Sequence, residues 1–366
     1  MPPSTSWKNE ETAAGQADGP VRKPGTAPVF APGFAPGFVI DAVFTWVDGA
    51  DPVWLENKRQ LQCKLFEDKD APDDANNASR FQDNGELRYA LRSLALYAPW
   101  IRKVHLVTAD QKPAWLNTDT VNLVSHGDIF PEDVPLPVFS TRPIEFCVHR
   151  VPGLAEHFIY CNDDFMLGRP VSPGDFFLPD GRPLLWVCKR GPEHMRKLMN
   201  KLGSPSSHAS AVARAHKIIN ERYCKEFPYI LRHYPKSMVR SSAAKLWEVF
   251  PQTIRATLNA PFRSPSDVSV TMLYPLYLLA EGLGEAKVIN GMRQLCDVIG
   301  GRGMAHMGAS IDDDNAKRKI RAIRAFRPRT FCLNDSLGAS ADDRATLKEF
   351  LAAMFPEPCK YEKALE

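Results

Sequence analysis

Four apolar, strand-like segments constrain the fold of this chain most, because they alternate with segments of helical periodicity. The strand-like segments are 38–47 (FVIDAVFTWV), 104–108 (VHLVT), 121–124 (VNLV) and 158–161 (FIYC). One helix is predicted after the N-cap Asp51, and a second where Leu87, Leu91 and Leu94 recur at helical spacing. Because strands alternating with helices form βαβ units, the sequence predicts an α/β, Rossmann-like fold. It should have a mainly parallel sheet, helices on both faces and a helical insertion.

Composition narrows the class of partner and the compartment. The formal net charge of +3 is nearly balanced, which argues against a large nucleic-acid footprint. No run approaches the ~18 apolar residues of a membrane span, and the first residues lack the apolar core of a signal peptide. The eight cysteines are scattered singly, as expected of reduced, mainly buried thiols. These features predict a cytoplasmic protein that does not bind nucleic acid.

Polar residues follow several of the predicted strands. Asp163 and Asp164 come directly after segment 158–161, Asp48 follows the first segment and Gln111 follows the second. In open α/β sheets ligands bind beyond the carboxyl ends of the strands, and paired carboxylates there could hold Mg²⁺ or Mn²⁺ beside a substrate diphosphate. The alternative is an Asx turn that closes the strand. Asp335, after the short apolar run 330–333, admits the same two interpretations.

Several longer motifs occur in a fixed order along the chain. They are 45–51 (TWVDGAD), 80–93 (RFQDNGELRYALRS), 98–104 (APWIRKV), 111–117 (QKPAWLN), 160–164 (YCNDD), 233–238 (HYPKSM), 250–251 (FP), 262–267 (FRSPSD), 331–335 (FCLND) and 355–362 (FPEPCKYE). In this order they resemble the four signature regions of the Stealth family. That family comprises bacterial capsular-polysaccharide phosphotransferases and the catalytic part of the lysosomal-enzyme N-acetylglucosamine-1-phosphotransferase.

The resemblance implies an enzyme of glycosyltransferase-A-like fold that acts on a UDP-sugar. It would transfer a hexose-1-phosphate, typically from UDP-N-acetylhexosamine, to a hydroxyl of a glycan or phosphoglycan in capsule or cell-surface polysaccharide synthesis, with release of UMP. Two alternatives stay open: a metal-dependent glycosyltransferase that releases UDP, and a glycan-binding protein without catalytic activity. The donor sugar, the acceptor and the oligomeric state are not determined by the sequence.

The resemblance also implies roles for individual residues. The metal candidates are Asp48, Asp163 and Asp335. The catalytic candidates are His233 as base or phosphate ligand, Arg263 for phosphoryl charge and Asp164 as an alternative base. Asp267 would orient Arg263 or His233, or would cap a helix that begins near residue 268. Asp51 is the last candidate, although its helix-capping role explains it without any ligand. The candidates for binding the nucleotide sugar are Trp46, Arg80, Asp83, Asn84, Arg88 and Gln111, while Arg92 on the same helix is read as a solvated flank.

On this interpretation the chain has a tail and one catalytic domain. Residues 1–37, dominated by Pro, Gly, Ser, Thr and charged residues, are predicted to be a disordered tail. Within 38–366, residues 38–180 form the nucleotide-sugar and metal core, 181–300 a helical acceptor-side region and 301–366 a part that completes the site. The basic helix predicted over 315–326 is interpreted as packed with a solvated basic face. The alternative is peripheral contact with the inner face of the membrane or with capsule assembly machinery.

Overall fold

The computed structural model describes residues 37–66, 80–204, 207–231, 234–289, 306–312 and 316–364. The predicted tail over 1–37 lies outside these ranges except for Gly37, and His233 lies outside them too. No helix of the described ranges is long and apolar enough to cross a membrane.

Eleven strands are found in the described part. They are β1 (Ile40–Thr45), β2 (Val104–Thr108), β3 (Val121–Ser125), β4 (His157–Asn162), β5 (Phe165–Leu167), β6 (Leu184–Lys189), β7 (Tyr229–Leu231), β8 (Lys236–Val239), β9 (Glu285–Val288), β10 (His306–Ser310) and β11 (Thr330–Asn334). The predicted strands over 104–108, 121–124 and 158–161 are confirmed, and the first predicted strand is shorter than segment 38–47. The apolar run 330–333 lies within β11.

The helices of the described part connect these strands. They are α1 (Pro52–Phe66), α2 (Glu86–Tyr97), α3 (His126–Ile129), α4 (Thr141–Cys147), α5 (Pro192–Met199), α6 (Ser207–Tyr223), α7 (Arg240–Val249), α8 (Pro251–Leu258), α9 (Val270–Ala280), α10 (Ala316–Phe326) and α11 (Ala341–Met354). Helix α1 begins where predicted, because the Asp51 side chain accepts a hydrogen bond from the Trp54 backbone N–H at 2.8 Å.

The central sheet has the strand order β3-β2-β1-β4-β8. Its first four strands are parallel, and β8 adds an antiparallel edge. Two three-stranded sheets, β10-β11-β5 and β7-β6-β9, complete the strand pairing of the described residues. The α/β prediction with a mainly parallel sheet is confirmed. The region predicted as helical, 181–300, contains helices α5 to α9 and in addition the β7-β6-β9 sheet.

Alternate residues of the central strands pack on opposite faces of the sheet. Phe44 and Ile159 belong to one buried cluster, together with α2, α11 and β11, whereas Val43 and Phe158 belong to a second cluster with α4 and α6 to α9. Successive side chains of a strand point to opposite faces, so burial on both sides explains why these strands read as continuous apolar runs. The prediction of helices on both faces is confirmed.

The parallel arrangement brings several chain segments to one edge of the central sheet. The carboxyl ends of β1, β2 and β4 lie side by side there, because their registers pair Thr45 with both Val107 and Asn162. The β11 strand ends at Asn334 and pairs antiparallel with β5, which begins just after Asp164. This edge of the sheet therefore gathers the polar residues that follow four different strands.

Candidate active site

A cavity of about 660 Å³ opens at this edge of the central sheet. Its walls include side chains from the ends of β1, β2, β4 and β11, from α2 and α4, and from the loops at 80–82, 138–140 and 335–338. Six residues predicted for the site line it: Trp46, Arg80, Asp163, Asp164, Arg263 and Asp335. The structure thus brings together residues that lie up to 289 positions apart in the chain.

Asp163 and Asp164 form the acidic wall of the cavity, in the turn between β4 and β5. Burial raises the pKa of Asp163 well above its ordinary value, and the charges of Asp164, Glu86 and Asp83 raise it further. The pKa of Asp164 is also raised by burial, although Cys332 donates a hydrogen bond to it at 3.0 Å. Several carboxylates concentrated in a half-buried site repel one another, so this wall favours a bound cation.

The composition of this wall limits the kind of metal site it can form. Among the described residues, no three His, Cys, Asp or Glu side chains are grouped so as to hold a metal ion. Mg²⁺ is usually held by one or two carboxylates together with substrate phosphates and water. Asp163 and Asp164 fit that mode of binding, whereas the predicted set of Asp48, Asp163 and Asp335 is not assembled as a site.

Asp335 lines the cavity, but other side chains already contact both of its carboxylate oxygens. Arg344 donates to both oxygens, at 2.7 and 3.0 Å, and Asn84 donates to one of them at 3.0 Å. The side chain is only 5% exposed. These contacts join the end of β11 to α11 and to the loop before α2, so in this structure Asp335 organises the wall and does not offer a free metal ligand.

The segment before α2 lies beside the acidic residues of the cavity and forms hydrogen bonds with them. Asn84 is buried, and its amide group donates to Glu86 at 2.9 Å as well as to Asp335. Asp83 accepts from the Gly85 backbone N–H at 2.7 Å, and burial raises its pKa. Neither Asp83 nor Asn84 lines the cavity in the part of the chain that the structure describes. Glu86 does line it, and burial raises its pKa to about 7.

Two guanidinium groups, those of Arg80 and Arg263, also line the cavity. Arg263 donates to the Thr141 hydroxyl at 3.3 Å and lies in the loop before α9. Asp267 anchors this loop, because it accepts from Arg142 at 2.7 Å and from the Ser264 backbone N–H at 2.9 Å. Asp267 therefore does not cap a helix: α9 begins at Val270 with Ser269 at the N-cap position.

Three predicted residues shape the loop after β1 and do not line the cavity in the described structure. Gln111 accepts from the Asp48 backbone N–H at 3.0 Å and donates to the Asp48 carbonyl at 2.8 Å. The Asp48 side chain accepts from the Ala50 backbone N–H, and Asp51 caps α1. Hydrogen bonds within the loop thus account for Gln111, Asp48 and Asp51 without a ligand.

Arg88 also lies away from the cavity walls of the described structure. Arg88 and Arg92 both form ion pairs with Glu362, whose side chain is 1% exposed. The Arg88 guanidinium in addition lies over the Trp115 ring. The two arginines attach the C-terminal segment to α2. For Arg92 this corrects the solvated-flank interpretation, since its side chain is only 10% exposed.

Comparison with known proteins decides the family. Models of the four conserved regions of Stealth proteins match this chain: region 1 over 38–65, region 2 over 80–184, region 3 over 232–280 and region 4 over 321–366. A receptor polysaccharide phosphotransferase of Streptococcus gordonii is 30% identical, covering 86% of this chain and 95% of that one. The chain belongs to the Stealth family.

Other relatives differ from this chain in length. An exopolysaccharide phosphotransferase of Streptomyces coelicolor is 36% identical over 89% of this chain but only 52% of its own, so the chain spans about half the length of such relatives. A capsular polysaccharide phosphotransferase of Neisseria meningitidis serogroup B is 30% identical over 84% of this chain and 80% of its own. A solved structure of the glycosyltransferase GlyE of Streptococcus pneumoniae has a TM-score of 0.36 at 9% identity, covering 87% of this chain and 62% of that one. A TM-score this low does not establish a relationship between the two proteins.

All four Stealth regions contribute to the one cavity. Trp46 comes from region 1, Arg80, Asp163 and Asp164 from region 2, Arg263 from region 3, and Asp335 from region 4. The regions are separated in sequence, and the central sheet, the β10-β11-β5 sheet and the loop before α9 bring them together. The cavity is therefore where residues of all four regions meet.

Two further charged residues, which were not predicted for the site, interact electrostatically with residues that line the cavity: Glu145 with Arg263, and Lys236 with Asp164. Burial raises the pKa of Glu145 to about 7, with Arg263, Lys236 and Arg142 nearby as partly compensating cations. Burial lowers the pKa of Lys236 to about 8, and its Nζ donates to the Tyr234 carbonyl. Lys236 stands inside the 233–238 motif, and that position was the available signal. Of the three cations near Glu145, only Arg142 is close to it in sequence, whereas Lys236 and Arg263 come from distant segments, so the local pattern did not indicate this cluster.

Two histidines also line the cavity. His126, at the start of α3, is buried, and this burial lowers its pKa to about 4. His208 lies in the first turn of α6 and is exposed. The prediction that His233 acts in proton transfer is untested, since His233 lies outside the described ranges.

Proposed function

We propose that this chain transfers a hexose-1-phosphate, namely N-acetylhexosamine-1-phosphate, from a UDP-sugar to a glycan hydroxyl in the synthesis of a surface polysaccharide. The products would be UMP and a phosphodiester. The names of its relatives, polysaccharide phosphotransferases of exopolysaccharide, capsule and receptor polysaccharide, support the class of reaction.

One observation carries the proposal: an acidic pair and two guanidinium groups line the same cavity, which is of the size of small-molecule sites. Phosphoryl transfer needs little covalent chemistry from the protein, and its catalysis is mainly positioning and charge stabilisation. Arg80 and Arg263 would bind the diphosphate oxygens, since a guanidinium can bind phosphate bidentately. Trp46 offers an aromatic surface for the uracil.

The proposed step breaks one bond and forms one. The acceptor oxygen attacks the phosphorus that carries the sugar, and the bond from that phosphorus to the bridging anhydride oxygen breaks. The electron pair of that bond leaves with UMP, and the hydroxyl proton passes to a base, for which His233 is the proposed residue and Asp164 the alternative. The bond between the sugar's anomeric carbon and its oxygen is untouched, so the anomeric configuration is retained.

Asp163 and Asp164 would hold a divalent cation, Mg²⁺ or Mn²⁺, whose shell the diphosphate completes. When bound, such an ion neutralises phosphate charge as a Lewis acid. The side chains around the pair have a supporting role: Cys332 and Asn334 donate to Asp164 at 3.0 and 2.9 Å and fix its orientation.

The test is an analysis of nucleotide products. Purified protein is incubated with UDP-N-acetylglucosamine, Mg²⁺ and capsular oligosaccharides, with and without a chelator. We expect UMP that disappears with the chelator. UDP as the product would indicate a glycosyltransferase, and glycan binding without any nucleotide turnover across several UDP-sugars would indicate a binding protein.

Two matched pairs of variants connect the reaction to the cavity. Arg263→Gln and Asp163→Asn should each lower UMP release by about 100-fold, the usual effect of removing one group that stabilises transition-state charge. Arg182→Gln and Asp342→Asn remove the same charges from exposed positions and should leave the rate unchanged. The pairs are Arg263→Gln with Arg182→Gln, and Asp163→Asn with Asp342→Asn. If a control variant lost as much UMP release as its cavity partner, the assignment would be contradicted.

A further inference from the structure

Helix α10 carries a row of cations that the proposed reaction does not use. Residues 316–329 contain seven basic residues and no acidic one: Lys317, Arg318, Lys319, Arg321, Arg324, Arg327 and Arg329. The apolar side of the helix faces inward, where Ile323 is fully buried and Ile320 packs against the same cluster. Arg318, Arg321 and Arg324 are exposed. We call these three arginines the α10 basic row.

The α10 basic row is not neutralised by the described residues. None of its three side chains forms an ion pair with a carboxylate of the ranges that the structure describes. Arg321 contacts the Lys317 carbonyl, and Arg324 lies over the Phe350 ring. Hydrogen bonds from Ser340 lower the pKa of Asp343, and the charge of the neighbouring Lys317 lowers it further.

The topology places the row beside the cavity. Strands β10 and β11 are parallel, and α10 is the crossing between them. Because Asp312 follows β10 and Asp335 follows β11, and both line the cavity, the carboxyl ends of both strands face it. The helix runs antiparallel to its strands, so it begins near the cavity and extends about 16 Å away from it at 1.5 Å per residue.

We propose that the α10 basic row binds the polyanionic part of a phosphoglycan acceptor that extends out of the cavity. This inference rests on the proposed function for the nature of the ligand, since each phosphodiester formed would carry a negative charge. The row then offers successive cations along the path that such a chain would take from the cavity. It therefore favours acceptors that already contain phosphodiesters over neutral glycans.

An anionic membrane is the competing partner for a basic helix, and the packing argues against it. Membrane-surface helices insert an apolar face into the lipid. The apolar face of α10 is already buried in the protein. Of its large apolar side chains only Phe326 is exposed, at 49%, and it lies at the end of the helix remote from the cavity. Charge along the helix without a continuous exposed apolar face suits a hydrophilic polyanion.

The test measures binding without any donor, so that it is independent of phosphotransfer. The probes are phosphorylated dextran, neutral dextran of equal length, and vesicles containing phosphatidylglycerol. The variant carries Arg318→Gln, Arg321→Gln and Arg324→Gln, and Gln is a good helix former. The control carries Lys103→Gln, Lys225→Gln and Lys363→Gln, which removes the same charge from exposed positions elsewhere. Circular dichroism melts check that both variants fold like the wild type.

We expect the wild type to prefer phosphorylated over neutral dextran, and the α10 variant to lose about tenfold in affinity, an effect that added salt reduces. The control should change by less than about twofold. Equal loss in the two variants, or loss of vesicle binding with dextran binding unchanged, would overturn the inference. If phosphorylated dextran binds through the row while no UMP is ever released, the proposed function fails and the binding surface stands.

Discussion

At the scale of single residues, partners distant in sequence decide what each charged group does. Asp163 and Asp164 lie where the strand pattern places them, but Asp335 is paired with Arg344 and Asp267 with Arg142. A carboxylate paired with a guanidinium is held in place and is a poor candidate for metal binding or proton transfer. The same contacts make these residues positioning groups for the loops that line the cavity.

Asp41 is the clearest case of a buried charge that supports the fold away from the cavity. It is fully buried, accepts from Arg102 at 2.8 and 2.6 Å, and accepts from the Ala155 backbone N–H at 2.8 Å. Burial acts to raise its pKa, but these hydrogen bonds and that from His105 together hold it well below its ordinary value.

The lowered pKa of Asp41 predicts a pH dependence of stability. A carboxyl with a lowered folded-state pKa contributes stability above its unfolded pKa of about 3.9, and this is lost as the pH falls toward the folded value. Asp41→Asn should therefore cost roughly 3 kcal/mol at pH 7. Urea unfolding at pH 7 and pH 3 should show a smaller loss on acidification in the variant. An equal loss in both proteins would contradict the role given to Asp41.

At the scale of elements, the C-terminal segment is attached to α2 by one buried carboxylate. Glu362 accepts from Arg88 and Arg92, and Arg92 in addition donates to the Phe355 and Pro356 carbonyls at 2.8 and 3.0 Å. A bridge between Leu116 and Glu362 adds a backbone contact. The fourth Stealth region thus folds back onto the second through this carboxylate.

This attachment predicts that Arg88 and Glu362 affect stability more than donor binding. Glu362→Gln should lower the free energy of unfolding by roughly 3 kcal/mol, because it removes a buried charge that two arginines require. The control Glu357→Gln, at an exposed position, should have no measurable effect. If Arg88→Ala instead raised the KM for the UDP-sugar with unchanged stability, Arg88 would be a donor ligand, as the family resemblance first implied.

At the scale of the whole molecule, the cavity depends on two buried clusters that share one sheet. Residues of β1 and β4 contribute to both clusters, so the strands that carry Trp46, Asp163 and Asp164 are held from both faces. A sheet that is packed on both faces keeps the charged groups at its edge in place, which phosphoryl transfer requires. A ligand that contacts both the acidic wall and the guanidinium groups should therefore stabilise the fold as a unit.

Thermal unfolding tests this coupling. UDP-N-acetylglucosamine and Mg²⁺ together should raise Tm by about 2–4 °C at saturating concentrations, and each alone by less, because the carboxylates and the diphosphate both complete the shell of the cation. The Asp163→Asn variant should lose the joint effect. A UDP-sugar that stabilises the protein equally with chelator and with Mg²⁺ would contradict metal-assisted donor binding.

The sequence by itself determined the four parallel strands of the central sheet, the first two helices, the polar residues at their strand ends and the family, because each of these is a pattern of neighbouring residues. Asp163, Asp164, Trp46, Arg80 and Arg263, which the strand ends and the family resemblance indicated, line the same cavity, and their roles there stay predictions. Only the tertiary structure decided that Arg88 pairs with Glu362, that Asp267 pairs with Arg142, and that the buried Glu86 lines the cavity. These outcomes depend on partners more than 100 residues away or on loss of solvent. Local periodicity does not contain that information, since it exists only once the sheet has brought the segments together.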